Sequence, residues 1–149
     1  MIKILKNILK NQNQIEAKDD NKDLELLCGL MIEAAYTDGQ IEEEEINKIK
    51  ISLINVFEEK PNDVELLLNK AIENKNNSKS LHYYASYINK NFANEKKILL
   101  IETLWEVVLS DGNVHDFESN LIRRLAGLLY ISDVSSGNAR KRALDKTLK

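Results

Sequence analysis

Two stretches decide how this chain folds: EAAYTDGQIEEEE at residues 33–45 and EVVLSDGNVHDFE at residues 106–118. Each leaves a helix-compatible segment, passes through Asp-Gly and enters an acidic run. Asp before Gly is turn chemistry, because the Asp carboxylate bonds the backbone that follows it and glycine accepts a positive φ. Aligning Asp111 on Asp38 gives an offset of 73 residues (111 minus 38). Without gaps, Leu26 then falls on Leu99, Leu27 on Leu100, Glu33 on Glu106, Glu45 on Glu118, Asn47 on Asn120 and Ile49 on Ile122. Ile41 with Val114 and Lys50 with Arg123 add similar pairs. Matching types on both sides of one turn predict a duplicated helix–Asp-Gly–helix unit.

Working outward, apolar residues recur at helical spacing on either side of both turns. Leu24, Leu27, Met31 and Ala35 form one stripe, Ile46, Ile49, Leu53 and Phe57 the next, and Val64, Leu67, Leu68, Ala71 and Ile72 a third. In the second half Leu81, Tyr84, Ala85 and Ile88 are followed by Ile101, Leu104, Trp105 and Val108, then by Leu121, Ile122, Leu125 and Leu129. Pro61, the run Asn76, Asn77 and Ser78, Asn94 and Ser132 with Asp133 supply the breaks. A last helix from about Asp133 to Leu148 has a thin stripe of Val134, Ala139, Ala143 and Leu148, and carries Arg140, Lys141, Arg142, Lys146 and Lys149. The expected fold is all-α, a compact domain of about seven or eight helices at residues 23–149 with an internal two-fold duplication. Residues 1–22 precede it as a short amphipathic helix and a polar linker.

The composition agrees. Of 149 residues 43% are hydrophobic and 30% charged, with one proline and five glycines, which suits one helical core and disfavours sheet. A net charge of −3 lacks the basic footprint that nucleic acid requires, so no nucleic-acid partner is expected. No apolar run approaches the ~20 residues of a membrane span, and residues 1–10 lack the apolar core and cleavage site of a signal peptide. A cytoplasmic protein is expected. Ile2, Leu5 and Leu9 form one apolar face, suited either to packing on the domain or to peripheral contact with a membrane or partner. Cys28 is a lone cysteine among leucines and reads as a small buried apolar residue.

Each turn continues as D-G-x-[IV]-x-x-x-E, the second half of an EF-hand loop, in which glycine makes the sharp bend and the last glutamate binds Ca²⁺ through both oxygens. The first and third loop positions, which should offer oxygen, hold Ala34 and Tyr36 in one copy and Val107 and Leu109 in the other, so an ordinary EF-hand is excluded. Two such loops on one face would gather Asp38, Glu45, Asp111 and Glu118, with Glu33 and Glu106 behind them. Like charges that close call for a compensating cation, and oxygen-only donors select Ca²⁺, Mg²⁺ or Mn²⁺. The same residues also serve without metal: Glu42 to Glu45 occupy a first helical turn that favours negative charge, and Glu45 or Glu118 fits the third position of a capping box. His115 reads as a solvated cap residue, His82 as surface, Trp105 as core, and Arg123 and Arg124 as an exposed helix face. With no Ser-His-Asp or Cys-His set, phosphate loop or zinc spacing, no catalytic residue and no other cofactor are expected, and an enzyme is disfavoured.

LLCGLMIEAAYTDGQIEEEEI (26–46) and ETLWEVVLSDGNVHDFESNLIRRLAGLLYIS (102–132) are similar to the two signature blocks of the tellurite-resistance TerB family, and the following SDVSSGNARKRAL resembles its final helix. The resemblance runs from about Leu24 to Ala143. It implies an all-α fold shared with the N-terminal region of certain membrane-linked J-domain co-chaperones. It also implies a role in stress response through an acidic, divalent-cation-binding surface, carried onto Asp38, Glu45, Asp111 and Glu118, with Glu33 and Glu106 matching. No tellurite chemistry is visible, since Cys28 has no partner thiol. The expected function is a cytoplasmic binding module that holds a cation or a protein partner. The alternative is a metal-free interaction scaffold whose acidic residues are helix caps.

Overall fold

A computed structural model describes residues 22–36, 41–75, 79–110 and 116–147. They form seven helices: α1 (22–35), α2 (Glu43–Asn55), α3 (Pro61–Glu73), α4 (Leu81–Asn91), α5 (Asn94–Val108), α6 (Asp116–Leu128) and α7 (Asp133–Thr147). No strand occurs among the described residues. The all-α expectation holds, and the helices fall where the apolar periods placed them. The candidate N-terminal helix at residues 1–10 and its linker lie outside the described residues.

The starts follow from local chemistry. Pro61 is the first residue of α3, where its missing N–H costs no hydrogen bond. Ser80 caps α4 by accepting from the Tyr83 N–H at 3.1 Å, and Ser132 caps α7 by accepting from the Ser135 N–H at 3.1 Å. The Ser80 hydroxyl thus satisfies the amide at the third position of α4.

Two helices contribute most of the core. In α1 the residues Leu24, Leu27, Leu30, Met31 and Ala34 are fully buried, Cys28 and Ile32 extend the buried face, and Lys22, Glu25, Gly29 and Glu33 leave one stripe open. In α5 every residue from Leu100 to Val108 is buried. The other helices face this interior with one stripe each: Ile49 and Leu53 of α2, Val64 and Leu68 of α3, Tyr84 and Ile88 of α4, Ile122 and Leu125 of α6. Around α5 lie α2, α6 and α7, while α3 packs on α2 and α4 on α6.

α7 has little apolar material with which to dock. Val134, expected on its stripe, is exposed in the first turn, and only Ala139 and Ala143 are fully buried. These small side chains, four residues apart on one face, let the α7 backbone lie close along α5.

α6 ends in a Schellman turn. The Ile131 N–H donates to the Ala126 carbonyl at 3.0 Å and the Tyr130 N–H to the Gly127 carbonyl at 3.1 Å, which puts Tyr130 at φ 60°. Two carbonyls left over are taken from outside, Leu128 O by Asn89 Nδ2 at 3.0 Å and Leu129 O by Lys97 Nζ at 3.4 Å. Glycine is the usual occupant of this left-handed position, and Tyr130 is strained there and buries almost nothing, being 83% exposed. Tyr130→Gly is expected to raise stability by about 0.5–1 kcal/mol in urea unfolding; a loss of stability would show that the ring contributes more than its exposure implies.

Candidate functional site

Of the six carboxylates picked from the sequence, Asp38 and Asp111 lie outside the described residues, as does His115. Glu45 and Glu118 are each the third residue of the helix that follows an Asp-Gly pair in the sequence. Both are only 4% exposed. Their neighbours Glu42, Glu43 and Glu44 are in water. Glu45 Oε1 accepts from the Glu42 N–H at 3.4 Å, closing a capping box at the start of α2. Capping is therefore one use of this glutamate, yet capping does not by itself require burial. Ile49 and Ile122, one turn further on, are both fully buried.

Glu106 is buried beneath α7 and flanked by cations, with Lys146 Nζ at 3.6 Å and Lys48 Nζ at 3.9 Å. One turn before it stands Glu102, also buried, which accepts from Arg142 Nε through one oxygen and from Lys146 Nζ through the other at 2.8 Å. Two carboxylates four apart on α5 meet two cations four apart on α7, with both sides of the pairing on helical rows. Burial pushes the Glu102 carboxyl up, and the hydrogen bonds and charges of Lys146 and Arg142 outweigh it, leaving the group below its ordinary value. For Lys146 the hydrogen bond to Glu102 raises the ammonium, burial works against it, and the charges of Glu106 and Glu102 add to the rise. Arg140 completes the α7 contact, its guanidinium 5.4 Å from the Trp105 ring centroid.

Glu33 does not share the surroundings of Glu106. It lines a cleft of about 260 Å³ between α1, α3 and α4, together with Tyr36, Tyr83, Tyr84 and Tyr87. Gly29 forms part of its floor, and a Cβ there would lie 2.9 Å from the Tyr84 hydroxyl. Tyr87 donates to Asp23 at the start of α1, fastening α4 across the cleft. Among the described residues no group of three or more His, Cys, Asp or Glu side chains is placed to hold a metal ion. The described helices also include none long and apolar enough to cross a membrane.

The profile of the family described as Tellurite resistance protein TerB matches residues 24–141, most of the chain. The chain belongs to the TerB family. No curated protein and no solved structure matches it. In this TerB-family domain His82, Arg123 and Arg124 are exposed and Trp105 is core, as their sequence positions suggested. The sequence reading missed two features. Glu102 interrupts the apolar run LLIETLWEVVL together with Glu106, and the matching spacing of Arg142 and Lys146 was the signal that pairs them. Gly29, a lone glycine inside an apolar helix, was the signal for a close approach.

Two consequences are measurable. Glu102→Gln is expected to destabilise the domain by roughly 1–3 kcal/mol at neutral pH. Because the folded carboxyl is depressed, the stability it contributes is complete above the unfolded carboxylate range and lost as pH falls through the folded value; the raised Lys146 adds stability that is lost only as pH rises through the folded lysine value. The variant should therefore show a flatter fall of unfolding free energy at acid pH than the parent, and parallel curves would refute the pairing. Cys28, whose thiol burial pushes up to about 12 with help from Glu59 and Glu25, should resist iodoacetamide in the native protein and react on unfolding in urea.

Proposed function

We propose that this TerB-family domain is a binding module whose two Asp-Gly loop ends hold one divalent cation, Ca²⁺, Mg²⁺ or Mn²⁺, and present the charged surface to a protein partner. One observation supports the reading: Glu45 and Glu118, each the third residue of the helix that follows an Asp-Gly pair, are both withdrawn from water while the glutamates beside Glu45 are not. Each stands a few residues beyond an Asp-Gly pair, the place from which a glutamate supplies oxygen donors to a cation in a helix–loop–helix unit. Glu45 and Glu118 would hold it together with Asp38 and Asp111. Glu106 already lies against Lys48 and Lys146, and Glu33 lines the cleft, so neither is needed in the shell. The donors are hard oxygens, which fits these cations and not zinc. The bound ion would lock the loops and so fix the surface seen by a partner. A cytoplasmic stress-response role follows from the family resemblance and belongs to the same proposal.

The capping box of Glu42 and Glu45 favours a second reading, a metal-free interaction scaffold like the helical regions of J-domain co-chaperones, in which the acidic residues only start helices. Titration of chelator-treated protein with each cation by calorimetry separates the two. Binding should raise the melting temperature, a stabilisation of about 2.7 kcal/mol at a hundred times the Kd, and Glu45→Gln and Glu118→Gln should each weaken binding by about tenfold or more. If no cation gives heat or a melting shift, and both variants cost only the ~1 kcal/mol of a lost cap, the scaffold reading stands and the cation reading is abandoned.

A further inference from the structure

The cleft between α1, α3 and α4 plays no part in the acidic loop ends, yet it has the makings of a site. Its walls are unusual for this chain: four of the five tyrosines line it. So do Lys22, Lys70, Lys75 and Lys79, against two carboxylates, Glu25 and Glu33. Four cations less two anions leave a charge of +2 in the cleft, on a chain whose net charge is −3. The ion pairs found among the described residues engage Lys48, Lys50, Arg142 and Lys146, and none of the four cleft lysines. Three of these lysines lie over aromatic rings of the cleft instead, Lys75 at 4.7 Å from the Tyr36 centroid, Lys79 at 5.6 Å from Tyr83 and Lys22 at 5.9 Å from Tyr87. A cation above a ring is held at the wall and keeps its N–H donors for another acceptor.

The floor is apolar, with Ile32, Leu67 and Ala71. Gly29 lines it as well, and the Tyr84 hydroxyl approaches where a Cβ would stand. Tyr83 and Tyr84 meet edge to face with centroids 6.0 Å apart, so one wall is a built aromatic surface. At about 260 Å³ the cleft approaches the lower end of small-molecule pockets and is too small to enclose a folded segment.

We propose that this cleft binds a small organic anion, an aromatic body carrying a carboxylate or phosphate, with its ring against the tyrosines and its charge toward Lys70, Lys75 and Lys79. The apolar floor and the rings select the body, and the excess of lysines selects the sign. Glu25 and Glu33, two turns apart on α1, stand along the cleft and disfavour a ligand that is anionic on all sides.

The test is a titration of ¹⁵N-labelled protein, kept in EDTA so that cation binding at the loops has no bearing on the result. Phenyl phosphate is the probe, with inorganic phosphate, phenol and phenyltrimethylammonium as comparisons. Phenyl phosphate should saturate shifts centred on Gly29, Tyr83 and Tyr84 and bind at least about tenfold more tightly than each comparison. Lys75→Gln with Lys79→Gln, and separately the half-exposed Tyr83→Ala, should weaken it by about tenfold at an unchanged melting temperature, and the exposed Lys141→Gln should leave it unaltered. The proposal is overturned if phenyl phosphate does not saturate, if inorganic phosphate or phenol alone binds as well, or if the cleft variants bind like the parent.

Discussion

A helix enclosed on every side can carry charge only if its neighbours answer that charge, and α5 imposes this condition on the rest of the domain. It contributes an unbroken buried segment from Leu100 to Val108, and within it two carboxylates that are almost wholly withdrawn from water. Leaving Glu102 or Glu106 buried and unpaired would cost several kcal/mol, a large share of the total stability of a domain this size. The answer comes from α7 and α2, whose Arg142, Lys146 and Lys48 surround the two glutamates. The basic character of the last helix is thus partly spent inside the molecule. Its arginine and lysine side chains are half exposed, so they reach in from the rim and keep contact with solvent, which lowers the cost of holding the pair.

Most of the architecture was legible because it depends on period and punctuation. Seven helices follow from apolar spacing, and Pro61 and Ser132 mark starts by the chemistry of free amides. The candidate site was legible only in part. Spacing from the Asp-Gly turn identified Glu45 and Glu118, and their shared burial depends on which helix face meets the core, which the turn alone does not specify. Glu33 and Glu106 correspond in the alignment, yet one lines a cleft of tyrosines and the other faces lysines. The difference arises from what covers each helix, α3 and α4 at the cleft and α7 over Glu106, and those coverings are unlike in sequence. Glu102 was passed over for the opposite reason: it lies in a run whose apolar neighbours dominate any reading by hydrophobicity.

The cleft and the α5–α7 contact are two solutions to one packing problem. Where α7 meets α5, alanines bring the backbones together and charges take up the remaining room. Where α1 meets α4, a glycine admits the tip of one tyrosine, and the remaining rings stand around a gap that no side chain fills. Small residues permit close approach in both places, and the large residues beside them determine whether the result is closed or open.

The fastening of α7 has a consequence for how the domain responds to its solution. Helices such as α6 are held by apolar area, an attraction that ions in solution leave largely untouched. α7 adds to Ala139, Ala143 and Leu144 a guanidinium over an indole and charge pairs that span some 40 residues of chain. The charged part of its hold weakens as ionic strength rises, so the seat of α7 on α5 responds to salt as well as to temperature.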